Sequence, residues 1–290
     1  MHQSVLKGYL LALAAIVILS PDALLIRLAG DEPFLITTWR GIIGGIMVLI
    51  FTRFLDKRTL LEQIKPARYG FLAVVAINAV QQFCFVYAIS HSNVTDVLVI
   101  LAFAPLAGAF LSALFLHENV ALRTWIATIV CGVGLAILFL QPDSNSESGG
   151  LIAAVICALT LASQFVVMRG HPKANLTAGI GVGNILTGFI CAFLVADIIP
   201  DSSQWLPLLA MGLIVAPLPF VLLAFSLRYI SAAETSLIML LETVLGSLLV
   251  WVILSEQPSV QTVLAGILIL STLSVYTWLT LRASANKPGP

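Results

Sequence analysis

The stretch SLIMLLETVLGSLLVWVILSE, residues 236–256, is apolar except for small hydroxyl residues, Glu242 near its middle and the terminal Glu256. About 20 apolar residues form a helix long enough to cross the hydrocarbon core of a bilayer. A carboxylate at the centre of such a helix costs roughly 2.5–3.5 kcal/mol, so an ionisable residue there is a functional hypothesis by default. We interpret Glu242 as a cavity residue that binds a substrate amine or takes up a proton. The alternative is a protonated or hydrogen-bonded glutamate that joins two helices.

The composition places the whole chain in the membrane class. Of its 290 residues, 60% are hydrophobic and 10% are charged, and the mean hydropathy is +1.06. A soluble chain averages about 45–50% apolar and about 25% charged residues. The zero net charge gives no indication of nucleic-acid binding. Four cysteines lie in apolar runs and are interpreted as core residues, so no metal or other cofactor is expected.

The apolar stretches predict an all-α integral membrane protein with ten transmembrane helices and short connections. The stretches cover residues 8–28, 34–53, 69–90, 93–116, 122–140, 149–169, 177–199, 204–228, 232–254 and 259–281.

Basic residues predict the orientation of these helices. With a cytoplasmic N-terminus, the inner connections and termini receive 12 Lys and Arg residues, whereas the outer loops receive only Arg27. Because cytoplasmic loops carry the excess of Lys and Arg, both termini are expected in the cytoplasm.

The second half of the chain repeats the first. A shift of 138 residues aligns Glu118 with Glu256 and Thr124 with Thr262 without a gap, although chance similarity of two apolar helices is the alternative. We predict repeats at residues 1–141 and 149–282, with a linker at 142–148 and a tail at 283–290. Five helices per half make the repeat inverted, a transporter design with its site at the midplane around a central cavity.

Motifs in both halves resemble one transporter family. The first half carries Pro105 within its fourth span, then Glu118 and a glycine-rich span with Gly132 and Gly134. The second half carries Glu242, then Glu256 and Gly266, while TTWRGIIGG (residues 37–45) supplies an arginine in the second span.

This pattern resembles the EamA branch of the drug/metabolite transporter superfamily, and bacterial exporters of aromatic amino acids look most similar. The resemblance implies a multi-pass protein of the bacterial inner membrane. Thr243 stands where the family usually has proline, so a kink is not expected there.

Two charged residues lie at equal depth in the first two spans. Asp22 and Arg40 are each about six residues, or roughly 9 Å, inside the outer boundary. Equal depth permits an ion pair between them. Asp22 is also assigned to gating. The alternatives are that Arg40 binds a substrate carboxylate or that its side chain reaches the interface without a fixed partner.

Amide and aromatic side chains supply further candidates for substrate binding. Asn78 and Gln82 share one face of the third span, and interhelical hydrogen bonds are their alternative role. Gln164 and Asn184 are similar candidates from the second half, and Trp39 could stack on an aromatic substrate.

Gating is expected from kinked helices and from acids at opposite mouths. Prolines within spans free backbone carbonyls, and those assigned to gating are Pro105, Pro217 and Pro219. Asp96 and Glu234 align under the same shift and are either gate residues or ordinary acids in the first turn of a helix.

Glycines at small-xxx-small spacing occur in GIIGG (residues 41–45) and GIGVG (residues 179–183). They predict close helix contacts, either within the bundle or at a homodimer interface.

Together these features predict a secondary transporter that exports small amphipathic metabolites, best matched by amino acids, through alternating access. There is no Walker A loop, no visible sodium site and no set of paired catalytic groups, so neither an ATPase nor an enzyme is expected. Alternatives are a nucleotide-sugar or sugar-phosphate carrier, a multidrug carrier, and a channel or receptor. The expected partners are a small-molecule substrate and the lipid bilayer.

Overall fold

The computed structural model describes residues 2–55, 67–116, 122–140, 147–171, 174, 176–226, 229 and 232–285. Within these ranges the chain is helical and contains no strand. The helices of the first half are α1 (His2–Leu19), α2 (Asp22–Ala29), α3 (Pro33–Leu55), α4 (Arg68–His91), α5 (Val94–Leu101), α6 (Ala104–Leu116) and α7 (Leu122–Leu140). Those of the second half are α8 (Ser148–Gly170), α9 (Thr177–Leu194), α10 (Trp205–Ala210), a π-helical turn (Met211–Val215), α11 (Pro217–Ser226), α12 (Ala232–Leu254) and α13 (Val260–Ala285).

Six helical segments of the described chain are long and apolar enough to cross a membrane. They are Leu6–Ala29, Pro33–Phe54, Arg68–His91, Val94–Ser112, Ser148–Gly170 and Thr177–Leu194. Four shorter apolar segments are Trp125–Ile137, Trp205–Phe220, Ile238–Leu254 and Val260–Tyr276.

Polar side chains lie inside the helix bundle and large apolar side chains lie outside it. Phe54, Phe193 and Leu206 are each more than three-quarters exposed, whereas Arg40 and Asp22 are buried. This distribution suits a hydrocarbon solvent, because apolar surface on the outside of the bundle carries no cost in lipid.

Prolines interrupt two of the apolar segments. The first segment breaks at Ser20 and Pro21, between α1 and α2. Pro217 begins α11 directly after the π-helical turn and Ala216, and Pro219 follows in the first turn of α11. Because proline cannot donate the backbone hydrogen bond of a continuing helix, the chain re-forms its helix from the proline onward.

The sequence suggested a kink at Pro105 in the middle of the fourth span, but the structure places Pro105 at the start of a new helix. The fourth segment breaks earlier, at Ala102 and Phe103, and the new helix α6 begins at Ala104. Proline is tolerated in the first turn of a helix, where its missing N–H is not needed, so Pro105 fits at the start of α6.

Glycines bring α3 and α9 into close contact within the chain. A Cβ atom added to Gly41 would lie 2.6 Å from the carbonyl oxygen of Asn184, and one added to Gly45 would lie 2.6 Å from that of Gly181. Both small-residue motifs therefore contribute to contacts inside the bundle, the first of the two roles that their spacing allowed.

Candidate functional site

The centre of the site is a buried ion pair between two helices of the first half. The Nη2 atom of Arg40 on α3 donates to Oδ2 of Asp22, the first residue of α2, at 2.6 Å. Its Nη1 atom donates to Oε1 of Gln82 on α4, also at 2.6 Å. The guanidinium carbon lies 5.4 Å from the ring centroid of Phe85, one turn along α4. The structure thus contains the Asp22–Arg40 ion pair that equal depth permitted.

An amide pair extends this polar layer toward the second half of the chain. Nδ2 of Asn78, one turn before Gln82, donates to Oε1 of Gln164 on α8 at 3.4 Å. Gly183 on α9 packs closely against Asn78: a Cβ atom added to Gly183 would lie 2.9 Å from Oδ1 of Asn78. Asn184, the next residue of α9, is also buried. Side chains from both halves therefore share one buried layer.

Several atoms of the layer have unused hydrogen-bonding capacity. Considering the described residues, the buried atoms without a partner include Oδ1 of Asp22, Nε of Arg40, Nε2 of Gln82, Oδ1 of Asn78 and Oδ1 of Asn184. An unmade hydrogen bond in a buried site costs about 1–3 kcal/mol. The layer therefore offers donors and acceptors to a bound polar solute or to water.

Glu242 lies ten residues into α12 and is only partly buried. Its carboxylate makes no hydrogen bond or ion pair with any residue that the structure describes. The neighbouring Thr243 donates to the carbonyl oxygen of Leu98 on α5 at 3.5 Å. A partner-free carboxylate in the middle of an apolar helix is available to a cation or a proton.

The remaining predicted site residues lie apart from this layer. Trp39 donates from Nε1 to the carbonyl oxygen of Ile198 at 2.9 Å and packs edge-on against Trp205, with 4.8 Å between ring centroids. Asp96 is buried in the first turn of α5 and accepts a hydrogen bond from the hydroxyl of Thr262. Glu234 belongs to α12, but its side chain lies outside the described residues, as does Glu118 entirely.

The structure also contains an ion pair that the sequence did not suggest. Nη2 of Arg27, near the end of α2, lies 3.0 Å from Oε1 of Glu256, which follows α12. The arginine also donates to the carbonyl oxygens of Ser90 at 3.3 Å and Ser92 at 2.7 Å. The backbone N–H of Val94 donates to the same Oε1 atom at 3.3 Å. We name Arg27, Glu256 and these backbone groups the end clamp.

The end clamp joins α2, the connection between α4 and α5, and the chain that follows α12 at one end of the bundle. Sequence reasoning placed Arg27 in an outer loop and used Glu256 only in the repeat alignment and the family motif. The predicted topology assigned Arg27 and Glu256 to the same side of the membrane. An ion pair between them could have been suggested from that, because a lone cation and an acid on one side can pair.

A groove of about 320 Å³ lies between α7 and α13, away from the polar layer. Its lining includes Ala127, Thr272 and Tyr276 and is largely apolar. The groove therefore lacks the convergent polar groups that a solute site requires.

The amino-acid sequence of both halves is matched by a known family. The profile of the EamA-like transporter family matches residues 6–140 and again residues 148–278. The chain belongs to the EamA-like transporter family. The resemblance to the EamA branch is thereby confirmed, and the protein is a multi-pass membrane transporter rather than an enzyme.

Relatives of this EamA-like chain are similarly named. It is 22% identical over 255 residues to an uncharacterized transporter of Archaeoglobus fulgidus, covering 88% of this chain and 90% of that one. It is 24% identical over 261 residues to the S-adenosylmethionine uptake transporter of Rickettsia bellii, covering 88% and 87% of the two chains. It is also 24% identical to the uncharacterized transporter YdfC of Bacillus subtilis, covering 83% and 80%.

A solved crystal structure shares the fold of the EamA-like chain. The two superpose with a TM-score of 0.67 at 22% sequence identity, covering 98% of this chain and 99% of the other. This similarity establishes the fold of the bundle and leaves the substrate to be argued from the site.

Proposed function

We propose that the protein is a secondary transporter that exports small amino-acid-like metabolites across the bacterial inner membrane by alternating access. The observation that carries this proposal is the buried polar layer, whose side chains from both halves keep unmade hydrogen bonds deep in an apolar bundle. A zwitterionic solute can use these groups, with the unpaired Nε of Arg40 directed to its carboxylate and Glu242 to its cationic group.

The architecture that we propose is ten membrane crossings in two inverted repeats with both termini in the cytoplasm. Under this proposal crossing n of the first half exchanges with crossing n+5 of the second, so many helix contacts should recur as exchanged pairs. The contact of α1 with α11 corresponds to that of α8 with α4, and α6 with α8 corresponds to α12 with α1. This pairing supports the exchange.

Three further contacts join helices that the exchange makes equivalent to each other. They are the contacts between α3 and α9, between α5 and α12, and between α7 and α13. The two stretches matched by the family profile, residues 6–140 and 148–278, also agree with the proposed repeats. Under the proposed exchange the polar layer would lie between the two halves, as alternating access requires.

The substrate class follows from the charges of the layer. Arg40 is its one buried cation among the described residues, which disfavours nucleotide-sugars and sugar phosphates, because phosphates call for several Lys or Arg contacts. The Rickettsia relatives are named for S-adenosylmethionine, an amino-acid derivative with a carboxylate, an ammonium and a sulfonium group. Amino acids and cationic amino-acid derivatives are therefore the solutes to test first, with aromatic ones included.

We propose export, whereas the names of the Rickettsia relatives specify uptake. The direction of transport therefore needs its own test. Cells that express the chain would be challenged with toxic amino-acid analogues and with cationic drugs. Export predicts protection and uptake predicts sensitisation, while protection against the drugs alone would favour a multidrug carrier. No change with any compound would contradict the proposed substrate class.

The carrier mechanism is tested with the purified protein in liposomes. A carrier gives saturable counterflow of the solute identified in the cell assay, whereas a channel gives flux that does not saturate. Glu242→Gln keeps the shape of the side chain and removes its charge, and Glu147→Gln, at an exposed position before α8, is the matched control. If Glu242→Gln left both the rate and its pH dependence unchanged, Glu242 would have no part in the cycle.

A further inference from the structure

We propose that a compact monovalent cationic group binds beside Glu242 and Thr243, where the broken end of α5 meets α12. The inference adds a cation site to the proposed transport cycle and depends on that cycle only for its role, since binding can be measured without transport.

The first argument is the register between α5 and α12. A Cβ atom added to Gly246 would lie 2.8 Å from Cδ1 of Leu98, which places these two residues at the same level. The two helices contact each other, and Thr243 donates to the carbonyl oxygen of Leu98 at 3.5 Å. With a rise of about 1.5 Å per residue, the last turn of α5 therefore lies level with Glu242 and Thr243.

The second argument is the unsatisfied backbone at that end of α5. Pro105 has no N–H, so the carbonyl of Leu101 lacks the donor four residues later that a continuous helix would supply. The N–H of Ala102 still donates to the carbonyl of Leu98, as in an α-helix, whereas that of Phe103 turns back to the carbonyl of Ile100. The end of a helix carries about half a negative charge on such carbonyls.

The break in the first segment lies against the same face of α12. The added Cβ of Gly246 would be 3.5 Å from the carbonyl oxygen of Ser20, the residue before Pro21. Pro21 has no N–H, so the carbonyl of Val17 lacks the donor that a continuous helix would supply. Val17 lies three residues before Ser20, and Thr243 lies three residues before Gly246. The helix breaks that free these two carbonyls therefore both contact the face of α12 that carries Gly246, one turn from Glu242.

The third argument is charge. Arg40, the buried cation of the polar layer, already binds Asp22 and Gln82. The carboxylate of Glu242 has neither an ion pair nor a hydrogen bond in the described part of the chain. A carboxylate, a hydroxyl and freed carbonyls of broken helices form a set of oxygen ligands suited to a cation, and broken helices in other transporters bind coupling ions in this way.

Thermal unfolding of the purified full-length protein tests the site. The melting temperature would be compared in equal concentrations of sodium chloride, methylammonium chloride and N-methylglucamine chloride, the last having a cation too bulky to enter. Because a bound ligand stabilises the folded state, we expect a rise of about 3 °C in the salt whose cation binds, relative to N-methylglucamine. The rise should vanish in Glu242→Gln, shrink in Thr243→Val and persist in Glu147→Gln.

The arms of the experiment identify the source of the cation. A rise with sodium indicates a free coupling ion, and a rise with methylammonium alone indicates the cationic group of the substrate. Equal melting temperatures in all three salts, or a rise that persists in Glu242→Gln, would overturn the proposal. If Glu242→Gln cannot be purified, an undiminished rise in Thr243→Val overturns it. Saturable counterflow without any such rise would leave the transport function intact and remove only this site.

Discussion

At the scale of single residues, Arg40 shows how a charge is kept inside an apolar bundle. Its two terminal nitrogens are each bound to an oxygen at 2.6 Å, and the flat face of the group lies near the ring of Phe85. Removing one partner of a buried ion pair leaves the other charge uncompensated, at a cost of about 3–5 kcal/mol.

We therefore predict that Asp22→Ala lowers the free energy of unfolding by about 3–5 kcal/mol. Adding Arg40→Gln to this variant should recover part of the loss, because the uncompensated charge is then gone. The measurement is unfolding of the purified protein, monitored for both variants against wild type. Equal stability of wild type and Asp22→Ala would contradict an interaction of Arg40 with Asp22 inside the folded protein.

At the scale of helices, glycine determines how closely α3 and α9 approach. Gly45 has no room for a side chain, because an added Cβ would lie 2.6 Å from the carbonyl oxygen of Gly181 and from Cγ1 of Ile185. Gly132 on α7 has nothing within 4 Å of the same position, so it provides a matched control in another helix.

We predict that Gly45→Ala destabilises the protein by about 1–3 kcal/mol, as overpacking does. Gly132→Ala should stabilise it by about 0.5–1 kcal/mol, because alanine loses less backbone entropy in a helix. Thermal unfolding of the two variants measures both effects. Equal changes in the two variants would indicate that helix propensity, rather than the contact of α3 with α9, controls the result.

The end clamp joins α2, the connection between α4 and α5, and the end of α12. Its two charged side chains are about one-fifth exposed, so solvent weakens their attraction. A double-mutant cycle with Arg27→Gln and Glu256→Gln should give a coupling energy of about 0.5–1 kcal/mol. A coupling energy of zero would mean that the backbone contacts alone close this end.

At the scale of the whole molecule, the proposed orientation can be tested with reporter fusions. With both termini in the cytoplasm, a C-terminal green fluorescent protein should fluoresce, while alkaline phosphatase at the same place should be inactive. Alkaline phosphatase fused after Asp201, in the connection between α9 and α10, should be active because that connection is proposed to lie outside. The opposite pattern at either place would contradict the ten-crossing arrangement.

Sequence reasoning identified most residues of the polar layer because ionisable and amide groups are rare in apolar spans. Asp22, Arg40, Asn78, Gln82 and Gln164 were all selected in this way, and the structure places them together. Their roles in binding a substrate stay predictions. Trp39 was selected instead as an aromatic residue that could stack on a substrate, but it packs against Trp205 beyond the layer. An aromatic side chain near the end of a span can line a substrate cavity or lie at the membrane interface, and its residue type alone does not distinguish these two positions.

The sequence alone determined that this chain is a helical membrane protein, because the length and polarity of each segment are local properties that a bilayer selects directly. Its motifs, which are also local, indicated the transporter family. Only the tertiary structure decided which helices touch, where the fourth segment breaks, and that Arg27 binds Glu256 across 229 positions of the chain. The same holds for the end of α5 beside Glu242. Such contacts depend on distances between segments remote in sequence, and several arrangements of the same helices satisfy the local preferences equally well.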